Sequence, residues 1–394
     1  MIHELRNKFN GRFSEEKYRD YLQQIENMHP GSLDFRVAET PVFVSASFKN
    51  KMLDTCDEIL DSIYNPEYKE ISERSIPEQY RMNGESSIPE MLIFDFGVCE
   101  DSTGSLSPQL IELQGFPSLF AYQMMSEKYT RSYAEIPPGY SSYLNGFDEI
   151  SYSKLIQDLI VGDENPEEVV LMEVMPEQQK TRIDFFCTQQ LLGITILCIS
   201  QVFAEGSYLY YYKDERKIRI KRIFNRVIFD DLEQQPITPG FDIKGDYEVK
   251  WIPHPNWFYR ISKFTLPFLH HPYIPETYFL NELKIPVDLS NYVLKPLFSF
   301  AGQGVIIDIQ PEDLERIEDP ENWIIQKKVT YASVIETPDE AAKAEIRLFY
   351  FKHPDWPKHL PVHNLARLSK GKMIGTRYNK DKTWVGGSIA YFEQ

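Results

Sequence analysis

The first 85 residues carry apolar side chains at helical spacing. Over residues 13–28 these side chains recur every three or four positions, and Ser14 stands before two glutamates as a helix cap. Residues 52–64 repeat the pattern. We therefore predict a mainly helical N-terminal region over residues 1–85.

The pattern then changes to a hairpin. Residues 91–96 and 108–114 are strand-like runs joined by a polar turn. Side chains two apart on a strand share a face, so Glu112 and Gln114 point the same way, and Asp95 can join them across the ladder. Two carboxylates and an amide oxygen suit Mg²⁺. The same alternation also fits an ordinary solvated sheet face.

An α/β pattern follows over residues 165–250. Its first runs alternate strand, helix and strand, at residues 169–174, 181–192 and 195–199. This order predicts a β-α-β unit with parallel strands. Further on, residues 207–212 and 217–224 flank a four-residue charged turn, which predicts a second hairpin.

The last part of the chain, residues 251–394, begins with a proline-rich boundary. We predict a helix over residues 258–269 and then strands alternating with short helices, with strands at 323–329 and 344–351 and a helix near 311–317. Lys263 lies in the aromatic pattern of the first helix. Its ammonium can either extend along the surface to solvent or reach a phosphate.

The segment 292–307 reads as a strand ending in Lys295, a small flexible loop, and a second strand. Small residues at Ala301, Gly302 and Gly304 let backbone N–H groups approach an anion closely. A fixed cation beside such amides suits a polyphosphate. The spacings of Walker and dinucleotide loops are absent, and a plain hairpin with a glycine turn fits as well.

Composition narrows the class of protein. The 394 residues are 42% hydrophobic, which allows a sizeable core. Forty-two basic and 59 acidic residues give a net charge of −17, which argues against non-specific nucleic-acid binding. The sequence shows no long apolar run and no leader, so we expect a cytoplasmic protein without a membrane partner. The four cysteines are far apart, which favours buried thiols over disulfides or zinc.

Three segments, in this order, resemble circularly permuted ATP-grasp ligases, and the nearest resemblance is to the synthetase domain of glutathionylspermidine synthases. Residues 94–96 (Phe-Asp-Phe) and 111–119 (Ile-Glu-Leu-Gln-Gly-Phe-Pro-Ser-Leu) resemble the family's Phe-Asp-Phe strand and its Glu-x-Asn-x-x-x-Pro-[Thr/Ser] metal motif. Residues 262–272 resemble its Lys-x-x-Leu-Pro…His-Pro segment, and residues 294–299 its Lys-Pro strand and phosphate loop. The metal hairpin precedes the nucleotide lysines, which is the permuted order.

The resemblance implies an α+β fold: an ATP-grasp-like, two-lobed and circularly permuted fold with an added α/β pre-ATP-grasp subdomain. The helical region would span 1–85, the metal hairpin of the catalytic lobe 86–160, the subdomain 165–250 and the nucleotide lobe 251–394. The implied activity is ATP-dependent ligation of a small-molecule carboxylate to an amine through an acyl phosphate, with ATP and Mg²⁺. The substrates would be of the peptide, amino-acid or polyamine class.

The resemblance also assigns candidate residues. The metal ligands would be Asp95, Glu112 and Gln114. Lys263 and Lys295 would bind the triphosphate. The loop and the adenine side would comprise Ser299, Ala301, Gly302, Gln303, Gly304, Gln326, Lys327 and Val329. Strand cations near the site, among them Arg347, Arg367 and Arg377, could balance phosphate charge or lie on the surface.

Two departures from the family bear on activity. The family has Arg-Phe-Asp where this chain has Ile93-Phe94-Asp95, so Arg81 or Arg347 would have to supply the catalytic arginine. The family's phosphate loop carries Arg-Glu-Gly where this chain has Phe300-Ala301-Gly302, which leaves backbone contacts. The alternative is therefore a catalytically degenerate nucleotide-binding protein.

Overall fold

The computed structural model describes residues 1–283, 288–298, 303–372, 374, 379 and 381–394. Its α-helices are α1 (His3–Asn10), α2 (Glu15–Glu26), α3 (Ala46–Tyr64), α4 (Pro66–Ile71), α5 (Phe120–Ala134), α6 (Glu149–Ile160), α7 (Arg182–Leu192), α8 (Phe229–Leu232), α9 (Asn256–Arg260) and α10 (Pro311–Glu315). Its strands are β1 (Val42–Val44), β2 (Met91–Glu100), β3 (Leu106–Gln114), β4 (Tyr140–Ser141), β5 (Val169–Glu173), β6 (Thr195–Cys198), β7 (Phe203–Glu205), β8 (Tyr208–Lys213), β9 (Arg216–Ile220), β10 (Arg222–Asn225), β11 (Lys250–Ile252), β12 (Thr277–Phe279), β13 (Tyr292–Pro296), β14 (Trp323–Lys327), β15 (Lys343–Phe351), β16 (Leu360–Ser369), β17 (Gly386–Ser388) and β18 (Ala390–Glu393). The fold is mixed α+β.

The first predicted helix begins next to its predicted Ser14 cap, whereas the second begins earlier than predicted, at Ala46. Ser14 Oγ accepts a hydrogen bond from the Lys17 amide at 3.3 Å and caps α2, and Ser45 caps α3 in the same way. The apolar stripe of α3 lies in the main hydrophobic core. The two predicted helices of this region are confirmed.

A five-stranded antiparallel sheet in the order β17-β16-β15-β2-β3 forms the centre of the site described below. The predicted hairpin is confirmed as β2 and β3, and Asp95 lies directly opposite Glu112. Alternate residues of β2, including Phe94 and Phe96, pack on one face in the core with α3. Ile93 and Asp95 point to the other face, towards α5.

A four-stranded parallel sheet, β11-β10-β5-β6, confirms the predicted β-α-β unit through β5, α7 and β6. Val169 and Leu171 of β5 pack in the same core as α5 and α7. Val170 and Met172 point the other way, onto a small antiparallel sheet, β7-β8-β9, that contains the second predicted hairpin as β8 and β9. The second arm is shorter than predicted, because residues 222–225 join the parallel sheet as β10. The parallel sheet therefore lies between a helical layer and a β layer.

The C-terminal part departs from two predictions. The sequence predicts one helix over 258–269, but α9 ends at Arg260, because Ile261 is extended, and a 3₁₀ helix follows over Lys263–Phe268. The prediction of a second strand after the glycine loop was also wrong. Beyond the loop the chain forms only an isolated bridge, in which Leu294 exchanges two backbone hydrogen bonds with Ile306 at the edge of β13 that β14 leaves open.

The remaining predicted elements agree with the structure. Strands β14 and β15 and helix α10 appear at the predicted places. In the described part of the chain, helices are too short or too polar to cross a membrane.

Candidate functional site

The central sheet gathers charged side chains on one face. Asp95 of β2 pairs in register with Glu112 of β3 on one side and with Arg347 of β15 on the other. Glu345, two residues before Arg347, pairs with Arg367 of β16. Because side chains two apart on a strand share a face, these five charges form a continuous row across four strands.

Asp95 is held by two arginines. Arg347 donates to both of its carboxylate oxygens at 2.7 Å, and Arg367 Nη2 donates to Oδ2 at 3.0 Å. Burial raises the pKa of Asp95, but the charges of Arg347 and Arg367 outweigh burial and hold the pKa below its ordinary value. Asp95 is therefore an ionised group that orients both guanidinium groups.

Glu345 extends this network. Its carboxylate lies 3.0 Å from Arg367 Nη2 and accepts a hydrogen bond from the Tyr331 hydroxyl. Burial and the nearby charge of Asp95 raise the pKa of Glu345, and burial and the charge of Glu345 raise that of Tyr331. No motif or pattern in the sequence indicates that Tyr331 belongs to this site.

Lys263 reaches Glu112 from the 3₁₀ helix. Its Nζ lies 3.0 Å from Glu112 Oε1, although the two residues are 151 positions apart. The approach depends on Gly115, whose amide donates to the Ile261 carbonyl at 2.9 Å. A Cβ on Gly115 would lie 2.6 Å from the Trp257 carbonyl oxygen, so the strand end and α9 can be this close only at a glycine.

Lys295 approaches the same strand from β13. Its Nζ donates to Gln326 Oε1 at 2.6 Å and to the Ile111 carbonyl at 3.3 Å. Burial lowers the pKa of Lys295 to about 8; Glu112 opposes the shift and Lys263 adds to it. Gln326 is itself fixed through a hydrogen bond to Thr277. The ammonium groups of Lys263 and Lys295 therefore both lie against β3, at residues 112 and 111.

Several candidate residues lie away from the charged row, or outside the residues that the structure describes. Arg81 pairs with Glu73 and Glu78, away from Asp95. Ser299, Phe300, Ala301, Gly302 and Arg377 lie outside the described residues.

Four more candidates lie in or after the strands β13 and β14. Gln303 and Gly304 are at a turn, where Gly304 has φ +74. Lys327 is exposed, with Glu276 at 3.8 Å, and Val329 is half-buried. The described side-chain contacts of these residues do not include the charged row.

The charged row continues towards the parallel sheet through Ser118, which belongs to the segment that resembles the metal motif, and through Arg226, which the sequence patterns did not single out. Arg347 Nη1 donates to Ser118 Oγ at 3.0 Å, just before α5. Arg226 follows β10, donates to the Pro117 carbonyl, and lies 4.3 Å over the Phe116 ring. Its place at the carboxyl end of a parallel strand, where α/β sheets bind ligands, was the available signal.

The N-terminus of α5 is fixed by a carboxylate from α7. Asp184 accepts hydrogen bonds from the amides of Leu119, Ala121 and Tyr122 at 2.7–3.0 Å. Burial raises the pKa of Asp184 even though these bonds and Arg226 oppose the shift. This contact holds Ser118 against Arg347.

Among the side-chain oxygens near the two lysines, those of Glu112 and Gln114 supply part of the ligand set that a magnesium ion needs. Glu112 is accessible, with 22% of its side chain exposed, and Gln114 is half-buried two residues further on the same face. Across the described ranges, three or more acidic, histidine or cysteine side chains nowhere converge as a metal cage. A carboxylate and an amide oxygen, completed by water and phosphate, suit Mg²⁺ more than a metal that needs a full protein cage.

No protein-family profile and no curated protein matches the sequence. Among solved structures, the fold is similar to that of a glutathione synthetase-like effector from Globodera pallida in its apo form, with a TM-score of 0.58 and 10% sequence identity. The similarity covers 97% of this chain and 98% of the effector. At this identity the likeness shows a common fold over nearly the whole chain.

Proposed function

We propose that this chain is an ATP-dependent carboxylate–amine ligase of the circularly permuted ATP-grasp type. The observation that carries the proposal is the meeting of Lys263 and Lys295, from separate segments, at the end of the strand that bears Glu112. Cations beside an accessible carboxylate suit a metal-bound triphosphate. The full-length likeness to a glutathione synthetase-like effector supports the same class.

In this proposal the charged groups have separate roles. Lys263 and Lys295 bind the phosphates, and Glu112 and Gln114 hold Mg²⁺, which would neutralise phosphate charge. Asp95 keeps Arg347 and Arg367 in place beside the transferring phosphoryl group. Gln303, Gly304, Gln326, Lys327 and Val329 would line the nucleotide. Because phosphoryl transfer depends on positioning and charge neutralisation, a protein nucleophile is unnecessary.

The substrate carboxylate would bind near the arginines. In the described residues, Nε of Arg226 and Nε of Arg367 are buried without a hydrogen-bond partner. Orphaned guanidinium donors suit an anion. A carboxylate oxygen held there would attack the γ-phosphorus and release ADP; an amine nitrogen would then attack the acyl carbon and release phosphate and a proton.

The test is phosphate release from ATP in the presence of Mg²⁺ and mixed amino acids and polyamines. Release that needs both an acid and an amine supports the ligase. Replacing Lys295 by Met should abolish the release, because the triphosphate loses a fixed cation. If neither ATP binding nor release is detected with any mixture, the proposal is wrong.

A second candidate is a nucleotide-binding protein without turnover. Both oxygens of Asp95 are engaged by arginines, and buried Ile93 stands where the resembling enzymes have an arginine. Stabilisation by ATP with Mg²⁺, without phosphate release from any mixture, would favour this candidate.

A further inference from the structure

The small antiparallel sheet β7-β8-β9 has two different faces. On the inner face, Leu209, Tyr211 and Ile220 pack in one core with the parallel sheet. Because side chains alternate along a strand, the residues between them lie on the outer face, away from that core. Four rings on this outer face form what we call the aromatic face: Phe203, Tyr208, Tyr210 and Tyr212.

The rings of the aromatic face are held against one another and remain accessible. Tyr212 is 63% exposed, and the other three rings are half-buried. Phe203 stacks on Tyr210 and Tyr212, with ring centroids 6.0 and 5.2 Å apart. Accessible tyrosines suit a binding surface, because they offer a large contact area at a low cost in conformational entropy.

The two cations on the same face are already paired. Lys217 lies 2.6 Å from Glu205, and Arg219 lies 3.3 Å from Glu248. These four charges sum to zero, whereas a nucleic acid needs an excess of cations, and the whole chain has a net charge of −17. An uncharged partner fits this surface.

The polar groups left over on the aromatic face can donate hydrogen bonds. Among the described residues, the Tyr211 hydroxyl bonds to protein from the inner face, whereas the hydroxyls of Tyr208, Tyr210 and Tyr212 make no such bond. Nε of Arg219 is buried without a partner. The carboxylates, which are the strong acceptors here, are engaged by the two cations. A ligand rich in acceptors and poor in donors therefore suits the face.

We propose that the aromatic face binds a proline-rich segment of another protein in the polyproline II conformation. A proline residue has a carbonyl acceptor and no N–H donor, so such a segment is uncharged, apolar and rich in acceptors. The tyrosine hydroxyls and Arg219 would donate to its carbonyls while the rings pack against its pyrrolidines. A sugar chain fits less well, because each of its hydroxyls is a donor that needs an acceptor.

The experiment titrates a blocked polyproline peptide of about ten residues into the full chain by calorimetry. We expect a dissociation constant below about 1 mM, and much weaker binding of a flexible glycine-serine peptide of the same length. Tyr212→Ala should weaken polyproline binding about tenfold or more, because it removes the most exposed ring of the face. Tyr212→Phe keeps the ring and loses the donor, so it should weaken binding about threefold.

Tyr278→Ala is the matched control, because Tyr278 is also exposed, at 43%, but lies on β12. It should leave the affinity for polyproline unchanged, and thermal unfolding checks that each variant folds. The inference is overturned if polyproline does not bind, if the glycine-serine peptide binds equally well, or if the two alanine variants lose the same affinity. Tighter binding of cellohexaose or of oligothymidylate than of polyproline would also overturn it.

Discussion

At the residue scale, the site is a row of buried and half-buried charges that compensate one another. Asp95 accepts from Arg347 and Arg367, and Arg367 also pairs with Glu345. Buried charges of this kind add little net stability as complete sets but are costly when one member is removed. The network therefore fixes geometry more than it strengthens the fold.

This gives a first prediction. Arg347→Met should lower the free energy of unfolding by about 3–5 kcal/mol, because it leaves Asp95 buried with one cation fewer. Adding Asp95→Asn to that variant should recover a substantial part of the loss. Urea unfolding of the single and double variants measures this; equal losses in both would contradict the coupling of the two residues.

Acid should weaken the same network. The folded pKa of Asp95 lies below its ordinary value, so its contribution is present above the unfolded pKa, near about 4, and is lost as the pH falls through the folded value. The wild type should therefore lose more stability than Asp95→Asn below about pH 4. Parallel stability curves for the two proteins in that range would contradict the assignment.

The buried Lys295 also makes stability rise with pH, but in an alkaline range and because its charged form is destabilised. Burial lowers its pKa from 10.5 to about 8, so the unfolded chain binds more protons between these values and stability rises with pH there. Lys295→Met should be more stable than the wild type at pH 7, by about 1–3 kcal/mol, and the difference should shrink above about pH 9. Lys244→Met, at an exposed position, is the control and should show no such trend.

Sequence reasoning found part of this site. Strand alternation predicts that Asp95, Glu112 and Gln114 share a face, because the rule is local. The partner of Asp95 could not be found in this way, since Arg347 is 252 positions away and the pairing depends on the order of strands in the sheet. Tyr331 was missed for the same reason, whereas Arg226 could have been found from its place at the carboxyl end of a parallel strand.

At the element scale, the contact between the end of β3 and α9 brings Lys263 to Glu112. Gly115→Ala should destabilise the protein by about 1–3 kcal/mol through overpacking against the Trp257 carbonyl, and should weaken ATP binding. Gly11→Ala is the control, because its added Cβ would make ordinary contacts, the nearest at 3.4 Å. Thermal unfolding and calorimetry check both variants; unchanged stability of Gly115→Ala would show that the contact is not tight.

Elements were predicted well where their pattern is local and long. The hairpins and the β-α-β unit follow from alternation, apolar runs and turn residues. The predicted helix over 258–269 was wrong because helical spacing of aromatic residues does not reveal the extended backbone at Ile261. The second strand after the glycine loop was wrong because the short apolar run there pairs with β13 at one position only, the bridge from Leu294 to Ile306, and a local pattern does not reveal the length of a ladder.

At the scale of the whole molecule, three sheets supply the proposed site. The five-stranded sheet carries the acids and arginines, β13 carries Lys295, and the parallel sheet brings Arg226. The likeness to a glutathione synthetase-like effector extends over nearly the entire chain, so the arrangement belongs to a fold that at least one other protein shares. A strongly acidic chain can bind a polyphosphate only where such local cations meet.

The most direct measurement is a crystal structure with a non-hydrolysable ATP analogue and Mn²⁺ in place of Mg²⁺. We expect the phosphates to contact Lys263 and Lys295 and the anomalous signal of the metal to lie beside Glu112 and Gln114. Nucleotide bound elsewhere, or metal away from Glu112 with both lysines free of phosphate, would contradict the proposed site.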